Sequence, residues 1–166
     1  MVYADNRIKN YLNGDMRHIY SIGYANGLRI SDILNLKVKA LYIKQPTITE
    51  IKTKKRKRIY IPADTRKELL TACEKRSATE TDYIFISNAT GKPYSRQAVW
   101  KAFKKAETKV QESTGKAINV GTHSMRKAYA QKLLRKGKNY KEIQAKMNHN
   151  QIGDTLRYLI NNNGGE

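Results

Sequence analysis

The sequence predicts an α+β fold that is mainly helical and carries one small antiparallel β-hairpin. Apolar residues recur at helical spacing towards both ends of the chain, whereas the central residues 47–61 alternate apolar and polar side chains with period two. The length of 166 residues and the apolar content of 39% suit one domain around a single core.

The first two predicted helices meet at an arginine. Asp15 can cap a helix that ends at Gly27, and Ser31 can cap a second, short helix over residues 32–36. Arg29 lies between these two boundaries. We therefore expect its side chain at a rigid junction.

The middle of the chain is predicted to mix strands and helices. The alternating segment predicts a β-hairpin with a basic tip, and Pro62 ends its second strand. Asp64 or Thr65 can cap the next helix, which runs to about Lys75. The apolar residues 83–86 predict a further short strand.

The C-terminal half is predicted to be helical. Ser95 can cap a long helix, and Thr122, Asn139 and Asn150 can cap three shorter ones. The last of these carries Tyr158. No internal repeat or low-complexity linker divides the chain.

Composition points to a nucleic-acid partner. The chain has 33 Lys and Arg against 14 Asp and Glu, a net charge of +19, and such an excess requires a polyanion to neutralise it. Membrane-surface binding is disfavoured because there are only one Trp and two Phe. The single Cys73 excludes an intrachain disulfide and a cysteine-based zinc site, which suits the cytoplasm.

Two segments contain residues suited to holding a phosphate. His123 and Arg126 are three residues apart at the start of a predicted helix, where free backbone N–H groups already favour anions. Arg29, followed by Asp32, can direct a second guanidinium at the same phosphate. Each segment alone also fits a basic surface or a surface ion pair between Arg29 and Asp32.

Two further segments complete the candidate site. Six of the seven residues from Lys52 to Arg58 are basic, as expected of a hairpin that contacts DNA phosphates. Lys52 lies at the strand end beside Thr53, where a fixed ammonium can act as a general acid. His149 is in a loop and Tyr158 on the helix after it, although a lone Tyr is by default a packing residue. The predicted DNA contacts are Lys54, Lys55, Arg56, Lys57 and Arg58.

Together these segments resemble the tyrosine recombinases, or phage-type integrases, over roughly residues 15–160. That family has, in order, an Arg in a G-L-R-x-x-[ED]-L-like segment, a Lys on a β-hairpin, H-x-x-R, a His or Trp, and a Tyr. The corresponding residues here are Arg29, Lys52, His123, Arg126, His149 and Tyr158. The resemblance implies the mainly helical catalytic domain of that family at residues 15–160, with residues 1–14 as an extension or linker remnant and 161–166 as a flexible tail.

The resemblance also implies a mechanism of DNA strand transfer. Tyr158 would attack phosphorus to form a 3′-phosphotyrosyl link and expel a 5′-hydroxyl. His123 would accept the phenol proton, and Lys52 would protonate the leaving oxygen. No metal ion, ATP or other cofactor is expected.

The remaining residues would hold the phosphate. Arg29 and Arg126 would bind its nonbridging oxygens, His149 would donate another hydrogen bond, and Asp32 would orient the site. Asn148 departs from the Gly that the family usually has before this His, so the loop is expected to differ in shape.

The implied partners are double-stranded DNA, further copies of the chain up to a tetramer on DNA, and accessory DNA-bending proteins. The expected setting is the prokaryotic or phage-infected cytoplasm, at the nucleoid and away from membranes. Two alternatives stay open at this point: a non-catalytic basic DNA-binding module, and a related type IB topoisomerase or telomere-resolving enzyme.

Overall fold

The structure is a computed structural model that describes residues 6–151, 153, 155, 156 and 159. This part of the chain is mostly helical and contains one two-stranded antiparallel sheet, so the predicted α+β class is confirmed. The elements are α1 (Gly14–Asn26), α2 (Ile30–Leu34), β1 (Thr47–Thr49), β2 (Arg56–Arg58), α3 (Ala63–Lys75), α4 (Arg96–Thr114), α5 (Ser124–Arg135) and α6 (Tyr140–Met147). Two 3₁₀ helices cover Asn6–Tyr11 and Val38–Leu41.

Two of the predicted helix caps are present as hydrogen bonds. The Ser95 hydroxyl accepts the Ala98 N–H over 3.1 Å at the start of α4. At the start of α6, Asn139 and Glu142 each accept the other's backbone N–H over 2.9 Å, which is a capping box. These side chains satisfy N–H groups that have no partner inside the helix.

The strand predicted over residues 83–86 is wrong. Its two ends form isolated bridges with different segments, Tyr83 with Lys37 and Ile86 with Pro93. Because the two ends have different partners, no continuous ladder forms. A short run of apolar residues predicts a strand here, but Phe85 is instead a buried core side chain that belongs to a loop.

Helix α1 packs closely against α5, and glycines make this approach feasible. A Cβ on Gly23 would collide with Met125, and one on Gly27 with the ring of Tyr129. Gly27 also has φ 63° and closes α1 through its N–H to the Gly23 carbonyl at 2.7 Å. The predicted helix stop is therefore confirmed, and the chain leaves α1 directly beside α5.

One main core contains buried residues of the helices α1 to α5 and of the segments between them, and it includes Ile8 and Leu12, ahead of the predicted domain boundary at residue 15. A second cluster joins α5 to α6 through Leu133, Ile143 and Met147, and Leu159 packs there as well. No helix among the described residues is long and apolar enough to cross a membrane.

Candidate active site

Arg29 is tied to the hairpin by a buried carboxylate. It takes the N-cap position of α2, and its Nη1 donates to Oε2 of Glu50 over 3.3 Å. Glu50 is fully buried, whereas the Arg29 side chain is 18% exposed. The Thr53 hydroxyl donates to the same oxygen over 2.7 Å. Glu50, rather than Asp32, is thus the partner of Arg29, and the sequence analysis did not single it out.

Asp32 holds the hairpin turn from the other side. Its Oδ1 accepts the backbone N–H of Ile51 over 2.8 Å, and the residue is buried. Burial raises the pKa of this carboxyl above its ordinary value, and the nearby charge of Glu50 raises it further. Asp32 therefore fixes the turn relative to α2 and to Arg29.

Arg126 is the most deeply buried cation of the site, with 1% of its surface exposed. It lies on the first turn of α5, and its Nη1 donates to the Gly27 carbonyl. Its Nη2 donates to the Met147 carbonyl over 3.1 Å and meets Nε2 of His149 at 2.9 Å. These contacts connect the ends of α1 and α6 and place a fixed positive charge between them.

His149 supports Arg126 in this arrangement. A guanidinium can only donate, so Nε2 of the imidazole is the acceptor and Nδ1 carries the hydrogen. Nδ1 then donates to the Thr155 hydroxyl, 2.9 Å away. Asn148, with φ 53°, ends α6 in the left-handed conformation that Gly favours and Asn tolerates, so the loop still brings His149 to the site.

His123 takes the N-cap position of α5, where Thr122 had been predicted. Partial burial lowers the pKa of the imidazole, and the positive charges of Arg126 and Arg29 lower it further. A lowered pKa keeps the ring neutral near pH 7, where its lone pair can accept a proton. The His123 carbonyl also accepts the backbone N–H of Arg126 over 3.1 Å, so the two residues are directly connected.

Lys57 belongs to the same cluster. It is on β2 opposite Ile48, and its Nζ donates to the Asn26 carbonyl over 2.8 Å. The ammonium also lies 5.6 Å from the centre of the Tyr129 ring. Burial, followed by the charge of Arg126, lowers the pKa of Lys57 to about 8.

The alternation of the second strand also predicts the inward position of Lys57. Ile59 and Ile61 are buried while Arg58 and Tyr60 are exposed, so the period of two directs every second residue inward. Extending this alternation by one step assigns Lys57 to the inward set. The prediction that Lys57 is one of the DNA-contacting charges of the hairpin does not take this alternation into account.

The other predicted site residues either are exposed to solvent or lie outside the described residues. Lys52 is exposed in the hairpin turn and has no hydrogen bond or ion pair to a described residue. Tyr158 and the tail over residues 161–166 lie outside the described residues. The other exposed cations of the hairpin are Lys54, Lys55, Arg56 and Arg58.

The comparisons with known proteins point to one family. The chain is 31% identical over 156 residues to "Probable integrase/recombinase YoeC" of Bacillus subtilis (strain 168), covering 92% of this chain and 82% of that protein. It is 27% identical over 159 residues to "Tyrosine recombinase XerD" of Staphylococcus aureus (strain Mu50 / ATCC 700699), covering 92% of this chain but only 51% of XerD.

Solved structures show the same fold. The integrase of transposon Tn1549, solved in complex with a circular intermediate DNA, superposes with a TM-score of 0.71 at 18% identity, over 92% of this chain and 58% of that one. XerA recombinase gives a TM-score of 0.69 at 23% identity, over 95% of this chain and 58% of that one. The chain thus spans little more than half the length of these structures.

A family model described as "Phage integrase family" matches residues 5–164, nearly the whole chain. Its span includes all four segments on which the resemblance was based. The chain belongs to the phage integrase family, the family of the tyrosine recombinases.

Proposed function

We propose that this chain is the catalytic part of a site-specific DNA recombinase or integrase. It cleaves and rejoins DNA strands through a 3′-phosphotyrosyl intermediate and uses neither a metal ion nor ATP. The observation that carries this proposal is the cluster of Arg29, Arg126, His123 and Lys57 around two buried carboxylates, in a chain of net charge +19. Such a cluster suits a phosphate whose charge increases in the transition state.

In the cleavage step, the Tyr158 oxygen forms a bond to phosphorus while the bond from phosphorus to the 5′ oxygen breaks. The phenol proton passes to His123, whose lowered pKa favours the neutral base. Arg29 and Arg126 stabilise the charge on the nonbridging oxygens, and Arg29 supplies the more accessible guanidinium. Rejoining reverses these steps with a 5′-hydroxyl of the partner strand.

His149 acts on the phosphate in one of two ways. The sequence suggested a direct hydrogen bond from its ring. Its contacts with Arg126 and Thr155 favour a different role, in which His149 positions the guanidinium that binds the phosphate.

The proton for the leaving 5′ oxygen comes from a lysine of the hairpin. Lys52 is the donor that the family pattern suggests. Lys57 is the second candidate, because its ammonium is held within the cluster and its pKa of about 8 makes it a stronger acid than an ordinary lysine. Substitution of each lysine by Met, with oxygen or sulfur as the leaving atom, distinguishes the two assignments.

Covalent capture tests the proposal. A pool of duplexes with randomised sequence carries one nick per molecule, so that cleavage near the nick releases a short 5′-hydroxyl fragment and traps the protein on DNA. We expect a detergent-stable adduct with the wild type and none with Tyr158→Phe, whereas Tyr140→Phe, an exposed position on α6, serves as the matched control. An adduct that persists in Tyr158→Phe contradicts the proposal.

The outcome of the capture assay, together with the reactions of any captured DNA, then distinguishes the alternatives. DNA binding without an adduct supports a non-catalytic module. Relaxation of supercoils or hairpin products, without exchange between two captured sites, supports a topoisomerase or telomere-resolving enzyme. Strand exchange between two sites supports recombination.

The proposed partner is double-stranded DNA, as in the Tn1549 integrase complex. We further propose that copies of the chain associate on DNA up to a tetramer, with accessory DNA-bending proteins, at the nucleoid. The mass of the complex on one and on two captured sites tests the association.

A further inference from the structure

An open cavity of about 250 Å³ lies beside His123, between α4 and the loop that leads into α5. The Trp100 indole borders it from α4, and His123, Thr122 and Lys127 border it from the start of α5. Asn119 contributes from the loop. His123 therefore belongs both to the proposed active site and to this cavity.

Trp100 is unusual among the aromatic residues of α4. Its neighbours Val99 and Phe103 are fully buried, whereas Trp100 is 47% exposed and makes no ring contact with another residue in the described part of the chain. Core packing therefore does not account for a large aromatic side chain at this position. An exposed indole in a strongly basic protein offers a flat apolar face for stacking with a nucleic acid base.

The loop that borders the cavity is fixed before any ligand binds. The Ser124 hydroxyl accepts the Gly121 N–H over 2.9 Å and donates to the Asn119 carbonyl over 3.2 Å. The Val120 N–H donates to a Glu107 carboxylate oxygen over 2.6 Å, which attaches the loop to α4. A ligand that enters the cavity meets walls that need little ordering, and this lowers the entropic cost of binding.

We propose that this cavity binds the nucleoside next to the phosphate that is cleaved, with its base against the face of Trp100. This inference rests on the proposed function, because it takes His123 to act at that phosphate. A nucleoside is covalently attached on each side of any DNA phosphate. A phosphate held at His123 therefore brings one of its two nucleosides to the neighbouring cavity. Asn119 and Thr122 offer polar groups towards its edges.

Trp100 is the only tryptophan of the chain, so its fluorescence reports on this cavity without labelling. The measurement uses the Tyr158→Phe protein, which cannot cleave, and a captured duplex. We expect quenching on binding, and a loss of most of that quenching when an abasic nucleotide replaces one of the two nucleotides that flank the cleaved phosphate. Unchanged emission while anisotropy shows the DNA to be bound overturns the proposal. Equal quenching with abasic nucleotides at both flanking positions overturns it as well, because the contact is then with the backbone alone.

Affinity provides the second measurement. Stacking is worth about 1–3 kcal/mol per base, so Trp100→Ala should weaken binding about 5- to 160-fold and Trp100→Phe less. Tyr140→Ala, which removes an aromatic residue of 49% exposure that does not border the cavity, is the matched control. Because Trp100 is exposed, we expect the variant to stay folded, and the thermal midpoint of each variant checks this. Equal affinity of Trp100→Ala and wild type overturns the proposal.

The adduct assay separates this inference from the proposed function. If Trp100→Ala forms adduct at the wild-type rate and binds equally well, the cavity proposal fails and the recombinase proposal stands. If the wild type never forms adduct but its fluorescence is quenched by the base of a bound duplex, catalysis fails and the cavity still binds a nucleoside.

Discussion

Replacing Lys57 by Met tests whether the buried lysine of β2 supplies the proton to the leaving oxygen. With a pKa of about 8, about nine-tenths of the Lys57 side chains are charged at pH 7 and about one-tenth at pH 9. If Lys57 is the acid, the second-order rate constant for adduct formation falls about tenfold per pH unit above pH 8. That rate constant reports on the pKa of Lys57 in the free protein, before DNA phosphates raise it.

The assay compares two DNA substrates, one with the normal 5′ oxygen at the cleaved bond and one with sulfur in its place. A thiolate leaves without a proton because a thiol has a pKa of about 8.5, far below that of an alcohol. Lys57→Met should therefore cleave the oxygen substrate about 10²- to 10⁴-fold more slowly than wild type, yet cleave the sulfur substrate at nearly the wild-type rate.

Lys52→Met is the matched variant. If Lys57→Met cleaves the oxygen substrate as fast as wild type, the reasoning from burial is refuted. If Lys52→Met alone then shows the sulfur rescue, the donor is the lysine that the family pattern suggests, and the exposed hairpin turn must bring it to DNA on binding. A loss of both rates in Lys57→Met also refutes the acid role, because sulfur should remove the need for a proton.

Four further predictions concern this lysine and the groups around it. His123→Gln should slow adduct formation. Because the pKa of His123 is lowered in the folded protein, the wild-type rate should fall on acidification only below the ordinary histidine pKa of about 6.5. A fall in rate that begins above this pH contradicts the role of His123 as the base. Glu50→Gln removes a charge that raises the pKa of Lys57, so the alkaline limb of the rate profile should move to lower pH, and an unmoved limb contradicts the coupling. Thr155→Val removes a hydrogen bond worth about 1 kcal/mol from His149, so adduct formation should slow about fivefold in single-turnover kinetics, with an unchanged rate excluding this support. Lys57→Met should also change how stability depends on pH. In the unfolded chain Lys57 keeps its proton to higher pH than in the folded protein, so the wild-type free energy of unfolding rises by at most about 3 kcal/mol between about pH 8 and 10.5. Urea titrations of the variant should lack this rise.

Helix boundaries could be predicted from the sequence where one residue decides them. Ser95, Asn139 and Gly27 act within one turn of their own positions, through a hydrogen bond or a backbone angle. The segment over residues 83–86 could not be assigned in this way, because a strand exists only if a partner runs beside it. Its partners come from two different parts of the chain.

The candidate site likewise has features that could be predicted from the sequence and features that could not. The positions of Arg29, His123 and Arg126 follow from local motifs at helix ends. The contacts that hold them do not, because Glu50 lies 21 residues from Arg29 and Gly27 lies 99 residues from Arg126. Neither pairing leaves a periodic trace in the sequence, so only the packing of α1 against α5 and the hairpin reveals it.

The charges of the site explain why its cations are arranged as they are. Arg29, Arg126 and Lys57 carry three positive charges, and Asp32 and Glu50 carry two negative ones when both are ionised. Burial lowers the pKa of both Lys57 and His123, and the positive charges of Arg126 and Arg29 lower each pKa further. A DNA phosphate brings the missing negative charge and favours the protonated form of Lys57, so substrate binding itself would charge the acid that cleavage needs. The carboxylates hold the cations in place without cancelling them, and the phosphate completes the balance.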